Sequence, residues 1–446
     1  MGIGVGRAVV AATGVVPTGV AGFLPAEQER TSMSHDRRES GFKRRTRVEE
    51  ALATLLDTVE PHGRVETVPL GEADGRVLAE PVDAPAPVPS YDRAAMDGYA
   101  VRAEDTFGAS DRSPAVLRTT DGDIRAGEAT RVHTGSALPD GADAVVMIEH
   151  VESVGTELEA FDAVAAGENV GPAGEDVAEG QRLYDAGATL RPSDLGLLKS
   201  VGLDAVPVYE PPTVAVIPTG EELVQSDPDP GEVIETNGLT VSRLVERWGG
   251  DARYRDVATD DEDALSAAIE RDLNADIVVT TGGSSVGERD LLPEVVDRLG
   301  EVLVHGVALK PGHPVCLGRA SGTPVLSLPG YPVACIVNAA QFLRPTQKRV
   351  AGTEPSPFPT RRARLDRKIA SEPGTRTFAR VRLSEGSPDA GGSADGPSTV
   401  ATPTRASGSG VLSSVALADG WVVVPESIEG FDAGRVVDVE LWEVTE

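Results

Sequence analysis

The sequence predicts a multidomain protein of mixed α/β and β class, and three observations lead to that prediction. The chain has 446 residues, which is enough for two to four domains. Between residues 211 and 351, short apolar runs alternate with stretches of helical periodicity, the pattern of a parallel, three-layered α/β sheet. On both sides of this part, short strand-like runs are separated by glycine and proline turns, which is typical of β-rich domains.

The same patterns divide the chain into segments. We expect residues 1–44 to be an extension outside the fold, either disordered or translated from a start codon placed too far upstream. Glycines and a proline interrupt its apolar run before a membrane helix could form. We expect a β-rich domain at 64–176, the α/β domain at 211–351, and a small β-barrel or sandwich at 352–446.

The composition restricts the environment and the partners. The chain carries 71 acidic and 41 basic residues, a formal net charge of −30, and it uses very few lysines. Carboxylates keep a surface hydrated in concentrated salt, so we interpret the chain as a cytosolic protein of a salt-loving cell. A generally acidic protein of an ordinary cytosol is the alternative. Non-specific nucleic-acid binding needs a basic face and is not expected. Cys316 and Cys335 lie outside any CxxC pattern and are expected to be packing residues.

A glycine-rich turn, TTGGSSVGERD, follows the apolar run ADIVV. Gly282 and Gly283 allow backbone N–H groups to approach an anion, and Ser284 and Ser285 add hydroxyl donors. The turn is not a Walker loop, because no Gly-Lys-Ser/Thr follows it. It ends at Asp290. A structural strand-to-helix turn is the alternative, but this pattern is more specific than a lone Gly-Gly.

Three further motifs lie at predicted strand ends of the same domain. TGEEL places Glu222 directly after a buried strand, although acids in the first turn of a helix would give the same pattern. KPGHP contains Lys310, which is either a compact point charge for a ligand or an ordinary surface lysine. LPGYP contains Pro329 and Pro332, which form either a rigid structural turn or a binding loop.

The β-rich domain contains three more motifs. Asp97 lies in AMDGYAVR, Thr134 in HTGSALPDGADAVV, and Asp176 in GEDV. Taken singly, each is more typical of a structural turn than of a site.

Taken together and in order, these seven motifs resemble those of the MoeA-type molybdopterin molybdotransferases, which are related to the C-terminal domain of gephyrin. The resemblance covers roughly residues 45–446. It implies an elongated domain of helix and strand formed by residues 45–63 and 177–210, with the β-rich domain inserted between them. It further implies a MogA-like α/β domain and a C-terminal β-barrel. The implied protein is a cytoplasmic homodimer in which the β-rich domain of one subunit completes the α/β site of the other.

The resemblance also implies the reaction. Molybdate is inserted into adenylylated molybdopterin, AMP leaves, and Mg²⁺ assists. The implied catalytic residues are Asp97, Glu222, Asp260, Asp290 and Lys310, and the implied metal ligands are Glu222 and Asp290. The implied cofactor-binding residues are Thr134, Asp176, Gly282, Gly283, Ser284, Ser285, Pro329 and Pro332.

The chain departs from the family pattern in three motifs. Gly306 and His313 stand around KPGHP where basic residues are frequent, the run GPAGED lacks the arginines that often precede GED, and Tyr331 stands where asparagine is common. The sequence therefore leaves open a tungstate-specific paralogue and a pterin-binding scaffold without turnover. A stand-alone adenylyltransferase is disfavoured, because its Gly-Gly-Thr-Gly variant of the glycine turn is absent.

Overall fold

The structure is a computed structural model that describes residues 45–282, 291–386, 397–404 and 410–443. The extension expected at residues 1–44 lies outside the described residues. Within the described ranges, no helix is long and apolar enough to cross a membrane. Cys316 and Cys335 are buried, in agreement with their predicted packing role.

The part of the chain before residue 210 is dominated by short strands, because glycine and proline interrupt its apolar runs. In chain order the elements are α1 (Val48–Leu56), β1 (Val65–Pro69), β2 (Val82–Asp83), β3 (Arg93–Ala94), β4 (Gly98–Val101), β5 (Ala115–Thr120), β6 (Glu128–Val132), β7 (Ala144–Met147), β8 (Val151–Val154), β9 (Glu157–Ala160), β10 (Val170–Gly171), β11 (Arg182–Tyr184), α2 (Pro192–Ser200) and β12 (Ala205–Tyr209).

Two strand pairs join segments from either side of the β-rich part. β1 pairs antiparallel with β12, and β2 pairs antiparallel with β11. Their buried side chains share one core, which includes Val68, Leu78, Leu190, Leu198 and Val206. This pairing differs from the sequence-based division, which assigned β1 and β2 to the β-rich domain. A local pattern predicts a strand, but it does not reveal a pairing partner so far along the chain.

Helix α1 packs against the α/β part of the chain. Its buried residues Ala51 and Leu55 belong to the same core as Val304 and Phe342. Thr46 N–H also donates to the carbonyl of Gly306 at 3.1 Å. This packing differs from the predicted grouping of residues 45–63 with 177–210.

The β-rich part forms a six-stranded sheet in the order β7-β4-β6-β5-β9-β8. β4 lies between β7 and β6 and pairs antiparallel with both, so Tyr99 lies between Arg131 and Val146. Residues of alternate pleat positions fill one core beneath the sheet, including Val101, Leu117, Ala129, Val146 and Leu158.

The α/β part and the C-terminal part follow. Their elements are β13 (Thr213–Pro218), β14 (Leu223–Val224), β15 (Val233–Ile234), α3 (Asn237–Arg247), β16 (Asp251–Tyr254), α4 (Glu262–Arg271), β17 (Ile277–Thr281), α5 (Leu292–Leu299), β18 (Gly300–His305), β19 (Leu309–Lys310), β20 (Cys316–Ala320), β21 (Thr323–Leu328), α6 (Pro332–Asn338), a π-helical turn (Ala339–Leu343), α7 (Arg344–Val350), β22 (Thr360–Leu365), β23 (Ile369–Ala370), β24 (Arg376–Glu385), β25 (Thr399–Pro403), α8 (Ser413–Ala416), β26 (Gly420–Val424), β27 (Gly430–Phe431) and β28 (Val436–Glu440).

The α/β sheet is buried on both faces, as the continuous apolar strands predict. On β13, Val214 and Val216 face one core together with α3 and α6. Ala215 and Ile217 face the other core together with α4 and α5. This alternation confirms the three-layered arrangement.

The sheet is mixed rather than wholly parallel. In the order β16-β13-β17-β21-β20-β18, the first four strands are parallel, and β20 pairs antiparallel with both β21 and β18. β20 therefore runs opposite to the other strands of the sheet, and the prediction of a parallel sheet is wrong for this strand. Only Ser321 and Gly322 connect β20 to β21, and such a short hairpin requires antiparallel strands.

The C-terminal strands close into a barrel. β24, β25, β22, β28 and β26 pair in that order, and β26 returns to pair with β24. Of the two predicted alternatives, a barrel or a sandwich, the barrel is confirmed. β19 extends this sheet by pairing with β24, which attaches a loop of the α/β part to the barrel.

Candidate active site

The carboxyl ends of three neighbouring strands form the edge at which the predicted α/β site residues lie. β13, β17 and β21 are adjacent and parallel, and they end at Pro218, Thr281 and Leu328. The chain after β13 continues to α3 on one face of the sheet, whereas the chain after β17 continues to α5 on the other. Connections that diverge in this way open a crevice at the strand ends, where ligands of such sheets bind.

The backbone at Gly282 fills the centre of this edge. Its N–H donates to the carbonyl of Leu328 at 3.1 Å, and its φ of +123° suits glycine. A Cβ at this position would lie 2.0 Å from the carbonyl oxygen of Thr219. A Cβ on Gly330 would lie 3.3 Å from the Cα of Gly282, so the second loop also touches it. The other members of the predicted turn, Gly283, Ser284, Ser285 and Asp290, lie outside the described residues.

Glu222 is exposed in the turn after β13. A Cβ on Gly220 would lie 2.9 Å from Oε2 of Glu222, so the carboxylate folds back over this glycine. The Glu222 carbonyl accepts the N–H of Val233 at 2.8 Å, and the turn leads into β14, which pairs with β15. The alternative interpretation of TGEEL as a helix N-terminus is therefore wrong.

Asp260 lies beyond β16, the strand next to β13. Ala258 forms a bridge with Thr219, and its carbonyl accepts the N–H of Gly220 at 3.2 Å. The N-cap of α4 is made by Asp261, whose Oδ1 accepts the N–H of Ala264 at 2.9 Å. Asp260, half-buried, consequently stands at the strand end beside the turn that carries Glu222.

The carboxylates of this edge are candidate ligands for a divalent cation. Within the described ranges, no group of three or more His, Cys, Asp or Glu side chains could enclose a metal ion. Mg²⁺ does not require such a group, because it commonly takes one or two protein carboxylates together with water and phosphate oxygens. Glu222 and Asp260 at neighbouring strand ends fit that requirement.

Lys310 reaches the same edge of the sheet from a different loop. β20 is antiparallel to β21, with Cys316 opposite Ser327, so the loop that precedes β20 lies at the carboxyl end of β21. The Lys310 ammonium donates to Oε1 of Glu372 at 2.8 Å and remains about half-exposed. Part of its charge is therefore balanced within the chain.

Backbone geometry accounts for one departure from the family pattern. Gly306 has a φ of +89°, and both its N–H and its carbonyl are bonded within the fold, to Val315 and Thr46. A lysine or arginine would be strained in this conformation. The structure gives no comparable reason for histidine at position 313.

Two prolines fix the LPGYP turn at the end of β21. Pro332 begins α6, a position that suits its restricted φ and missing N–H. Asn237, at the start of α3, donates its Nδ2 to the carbonyl of Gly330 at 2.6 Å. Pro329 and Tyr331 are thereby held at the edge of the sheet beside Gly282.

Two buried polar side chains that the sequence analysis missed support these loops. Glu235 accepts the N–H of Gly238 at 2.6 Å and the hydroxyl of Tyr254, which fixes the start of α3. Asn338 is fully buried and donates to the carbonyl of Gly312 at 3.0 Å, in the loop that carries Lys310. Neither belongs to a recognisable motif, so their function becomes evident only from the contacts.

In the β-rich part, the structure brings Asp97 and Thr134 together. Oδ1 of Asp97 accepts the N–H of Thr134 at 2.7 Å and its hydroxyl at 2.9 Å. These two hydrogen bonds, and then the nearby imidazole of His133, hold the pKa of Asp97 below its ordinary value. The carboxylate remains exposed, so it is a fixed anion at the surface of this domain.

Asp176 lies on an adjacent loop of the same domain. β10 pairs with β3, and the N–H of Asp176 donates to the carbonyl of Val88 at 3.0 Å. Its side chain is exposed. Among the described residues, no hydrogen bond or ion pair connects Asp97, Thr134 or Asp176 to the α/β edge.

Arg380 is a further residue that the sequence analysis missed. It is 3% exposed on β24, the strand that pairs with β19, and across the described chain no carboxylate pairs with it. Its contacts are the carbonyl of Phe378 and the hydroxyl of Ser414, both at 3.4 Å, and its Nε is unbonded. Burial lowers the pKa of this guanidinium. Such a site suits an anion that enters from solution.

Three family models match successive parts of the chain. They are described as "MoeA N-terminal region (domain I and II)", "Probable molybdopterin binding domain" and "MoeA C-terminal region (domain IV)", and they match residues 46–202, 215–349 and 362–442. The first of these regions, residues 46–202, contains both the β-rich sheet and the strands β1, β2 and β11 that flank it.

Curated relatives match over most of their length. The chain is 37% identical over 399 residues to a molybdopterin biosynthesis protein of Methanocaldococcus jannaschii, with 87% of this chain and 94% of the relative covered. It is 33% identical to a molybdopterin molybdenumtransferase of Mycobacterium tuberculosis, with 85% and 95% covered. It is 32% identical to a molybdopterin molybdenumtransferase of Bacillus subtilis, with 86% and 91% covered.

Solved structures share the architecture. A crystal structure of a molybdopterin biosynthesis MoeA protein from Pyrococcus horikoshii is similar with a TM-score of 0.79 and 36% identity, covering 90% of this chain and 100% of that one. A molybdenum cofactor biosynthesis protein from Pyrococcus furiosus has a TM-score of 0.55 at 26% identity, covering 89% and 100%.

The Asp97 and Thr134 pair gives a testable pH dependence. Thr134→Val removes the hydroxyl donor but keeps the N–H, so we predict that the Asp97 carboxyl titrates at higher pH in the variant. The measurement is the carbon-13 shift of that carboxyl during an acid titration, with Thr134→Ser as the control that keeps the hydroxyl. Because the folded pKa is lowered, the stabilisation is present above the ordinary aspartate pKa and disappears as pH falls through the folded value. An unchanged midpoint in the valine variant would contradict the assignment.

Proposed function

The chain belongs to the MoeA family of molybdopterin molybdenumtransferases, and we propose that it inserts molybdate into adenylylated molybdopterin with release of AMP. It is an enzyme of the late stage of molybdenum cofactor biosynthesis. The observation that carries the proposal is the contact of three strand-end loops at Gly282, with the carboxylate of Glu222 beside them. A crevice with close backbone approach and acidic side chains suits a phosphate substrate that binds with a cation.

The acidic residues of the edge hold the cation that binds the phosphate anhydride of the adenylylated substrate. When bound, Mg²⁺ supplies neutralisation of phosphate charge there. Glu222 would hold it together with Asp290, the second predicted ligand, which lies outside the described residues, and Asp260 would support them from the neighbouring strand end. Gly282 fixes the relative position of these turns, because the carbonyl of Thr219 occupies the place of its side chain and its N–H is bonded to Leu328.

Two cationic residues serve the anionic groups of the substrates. Lys310 lies opposite Thr377 in the pairing of β19 with β24, and Arg380 is three residues further along β24, so the two side chains leave opposite faces of the sheet. We assign the molybdate to Arg380, which has no carboxylate partner in the described chain, since a buried guanidinium without a counter-ion gains most from a bound anion. Lys310 supplies positive charge for a phosphate group of the substrate. Pro329 and Pro332 fix the neighbouring turn, and that role remains part of the proposal.

The proposal includes a homodimer with a shared site. The support is that, among the described residues, no hydrogen bond or ion pair joins Asp97, Thr134 or Asp176 to the α/β edge, together with the exposure of Met96 next to Asp97 and of Tyr91 in the same segment. Exposed apolar side chains beside a fixed anion are typical of a surface that another molecule covers. A second copy would bring this surface to the edge that carries Glu222.

The composition supports a cytoplasmic enzyme adapted to concentrated salt. The net charge of −30 keeps the surface hydrated when salt screens the repulsion between carboxylates. If activity were greatest in dilute buffer, or if fractionated cells yielded the protein with their membranes, this part of the proposal would be wrong.

The function is tested by AMP release. Purified protein in concentrated KCl receives adenylylated molybdopterin and Mg²⁺, with molybdate, with tungstate or with neither. We expect AMP release that depends on molybdate, and an approximately hundredfold loss in Glu222→Gln, because a neutral amide is a weaker ligand for the Mg²⁺ that neutralises the phosphate charge. The measurement is chromatographic quantification of AMP with time.

The same assay separates the alternatives. Preference for tungstate would identify a tungstate-specific enzyme, whereas substrate binding without AMP release would identify a scaffold. Glu221→Gln is the matched control, since it removes the adjacent exposed acid without changing Glu222.

The shared site is tested by mixing two inactive variants. Asp97→Asn affects one half of the proposed site and Glu222→Gln affects the other. After subunit exchange, mixed dimers contain one intact site of two, so we expect about a quarter of wild-type activity in an equal mixture. If the mixture is no more active than the separate variants, both sets belong to one chain or the protein is not a dimer.

Arg380 gives the oxyanion test. Arg380→Leu should raise the KM for molybdate roughly tenfold to a hundredfold, the value of a charged hydrogen bond. It should not lower the thermal unfolding temperature, since removing an unpaired buried charge is not destabilising. Arg380→Lys, which keeps the charge, should be intermediate. A normal KM combined with earlier unfolding would identify a structural residue.

A further inference from the structure

Tyr331 is exposed at the centre of the candidate site. It is 64% exposed, between Gly330 and Pro332, on the turn that ends β21. Within the part of the chain that the structure describes, its hydroxyl makes no hydrogen bond, and its ring has no aromatic or cationic neighbour. Aromatic side chains are scarce, at 4% of the sequence, so an uncovered ring at this edge calls for an explanation beyond packing.

The position of the ring is fixed from two directions. The carbonyl of Gly330 is held by Asn237 at 2.6 Å, and its backbone touches Gly282. On the barrel side, a Cβ on Gly410 would lie 3.2 Å from Cδ1 of Tyr331 and 3.4 Å from Cε1. A residue without a side chain therefore supports the ring, while most of its surface stays open.

We propose that Tyr331 is a substrate-binding residue whose ring stacks on a planar, fused nitrogen heterocycle of the substrate. This inference rests on the proposed function, because the adenylylated substrate contains two such rings, adenine and pterin. Stacking is tolerant of ring identity, since each heterocycle offers a flat π-face. The substitution of Tyr331 for the asparagine common in the family thus adds an apolar contact at a turn that would otherwise offer an amide.

The negative charge of the protein makes an uncharged contact such as ring stacking important for substrate affinity. A net charge of −30 repels an anionic substrate at long range, and Lys310 is already paired with Glu372. Salt reduces both the repulsion and the remaining ionic attraction. Ring stacking is not screened by salt, so it can supply affinity under the conditions that the composition favours.

Equilibrium binding of two probes tests the inference. Calorimetric titration with AMP and with neopterin, in dilute and in concentrated KCl, is performed on the wild type, Tyr331→Phe and Tyr331→Leu. We expect Tyr331→Leu to weaken one probe by roughly five- to 150-fold, the range for loss of a stacked base, by the same factor at both salt concentrations. Tyr331→Phe, which keeps the ring, should stay within about threefold of the wild type. The probe that weakens identifies adenine or pterin.

The controls separate stacking from other effects. Phe107→Leu removes a 70% exposed ring from the β-rich part and should leave both affinities unchanged. Equal affinities in wild type and Tyr331→Leu, equal losses in the Phe and Leu variants, or binding of neither probe by the wild type would overturn the inference. If a probe binds through Tyr331 but the wild type releases no AMP, the proposed function fails and this inference stands. If the wild type releases AMP but neither probe depends on Tyr331 for binding, this inference fails and the proposed function stands.

Discussion

The close approach of three backbone segments at Gly282 is the constraint on which the rest of the edge depends. The carbonyl of Thr219 occupies the place of a side chain at position 282, and the turn at Gly330 lies against the same glycine. The strands that carry these segments are buried on both faces, so they cannot separate to admit a bulkier residue. The turns that hold Glu222 and Tyr331 therefore start from one fixed point, although both side chains are exposed.

The distribution of positive charge follows a second constraint, the scarcity of lysine in a strongly acidic chain. A surface cation in such a protein is readily paired, and Lys310 is paired with Glu372. Arg380 avoids that outcome by burial between its barrel strand and helix α8, which carries Ser414, and among the described residues it bonds only to a carbonyl and a hydroxyl. Burial of an unpaired guanidinium costs stability, and it is tolerated most easily where an anion binds in part of the working cycle.

The sequence predicted what depends on local periodicity and missed what depends on distant pairing. The alternation of strands and helices gave the layered sheet, because both periodicities are visible in a short window. The pairing of β1 with β12 is decided by a partner that no window contains. The hairpin of β20 and β21 is local, and its Ser321-Gly322 connection is a signal that the sequence analysis missed. Arg380 was missed because TFARVRL reads as an ordinary strand. Its burial comes from neighbours of the barrel, and not from its own segment.

The Asp97 site shows how geometry restricts chemistry. A general acid or base works best when its pKa lies near the operating pH, which for a carboxyl group requires an upward shift. The donors from Thr134 move the pKa of Asp97 in the opposite direction, and they already occupy Oδ1. This geometry suits a fixed anion that orients or balances a positive group better than it suits a proton carrier.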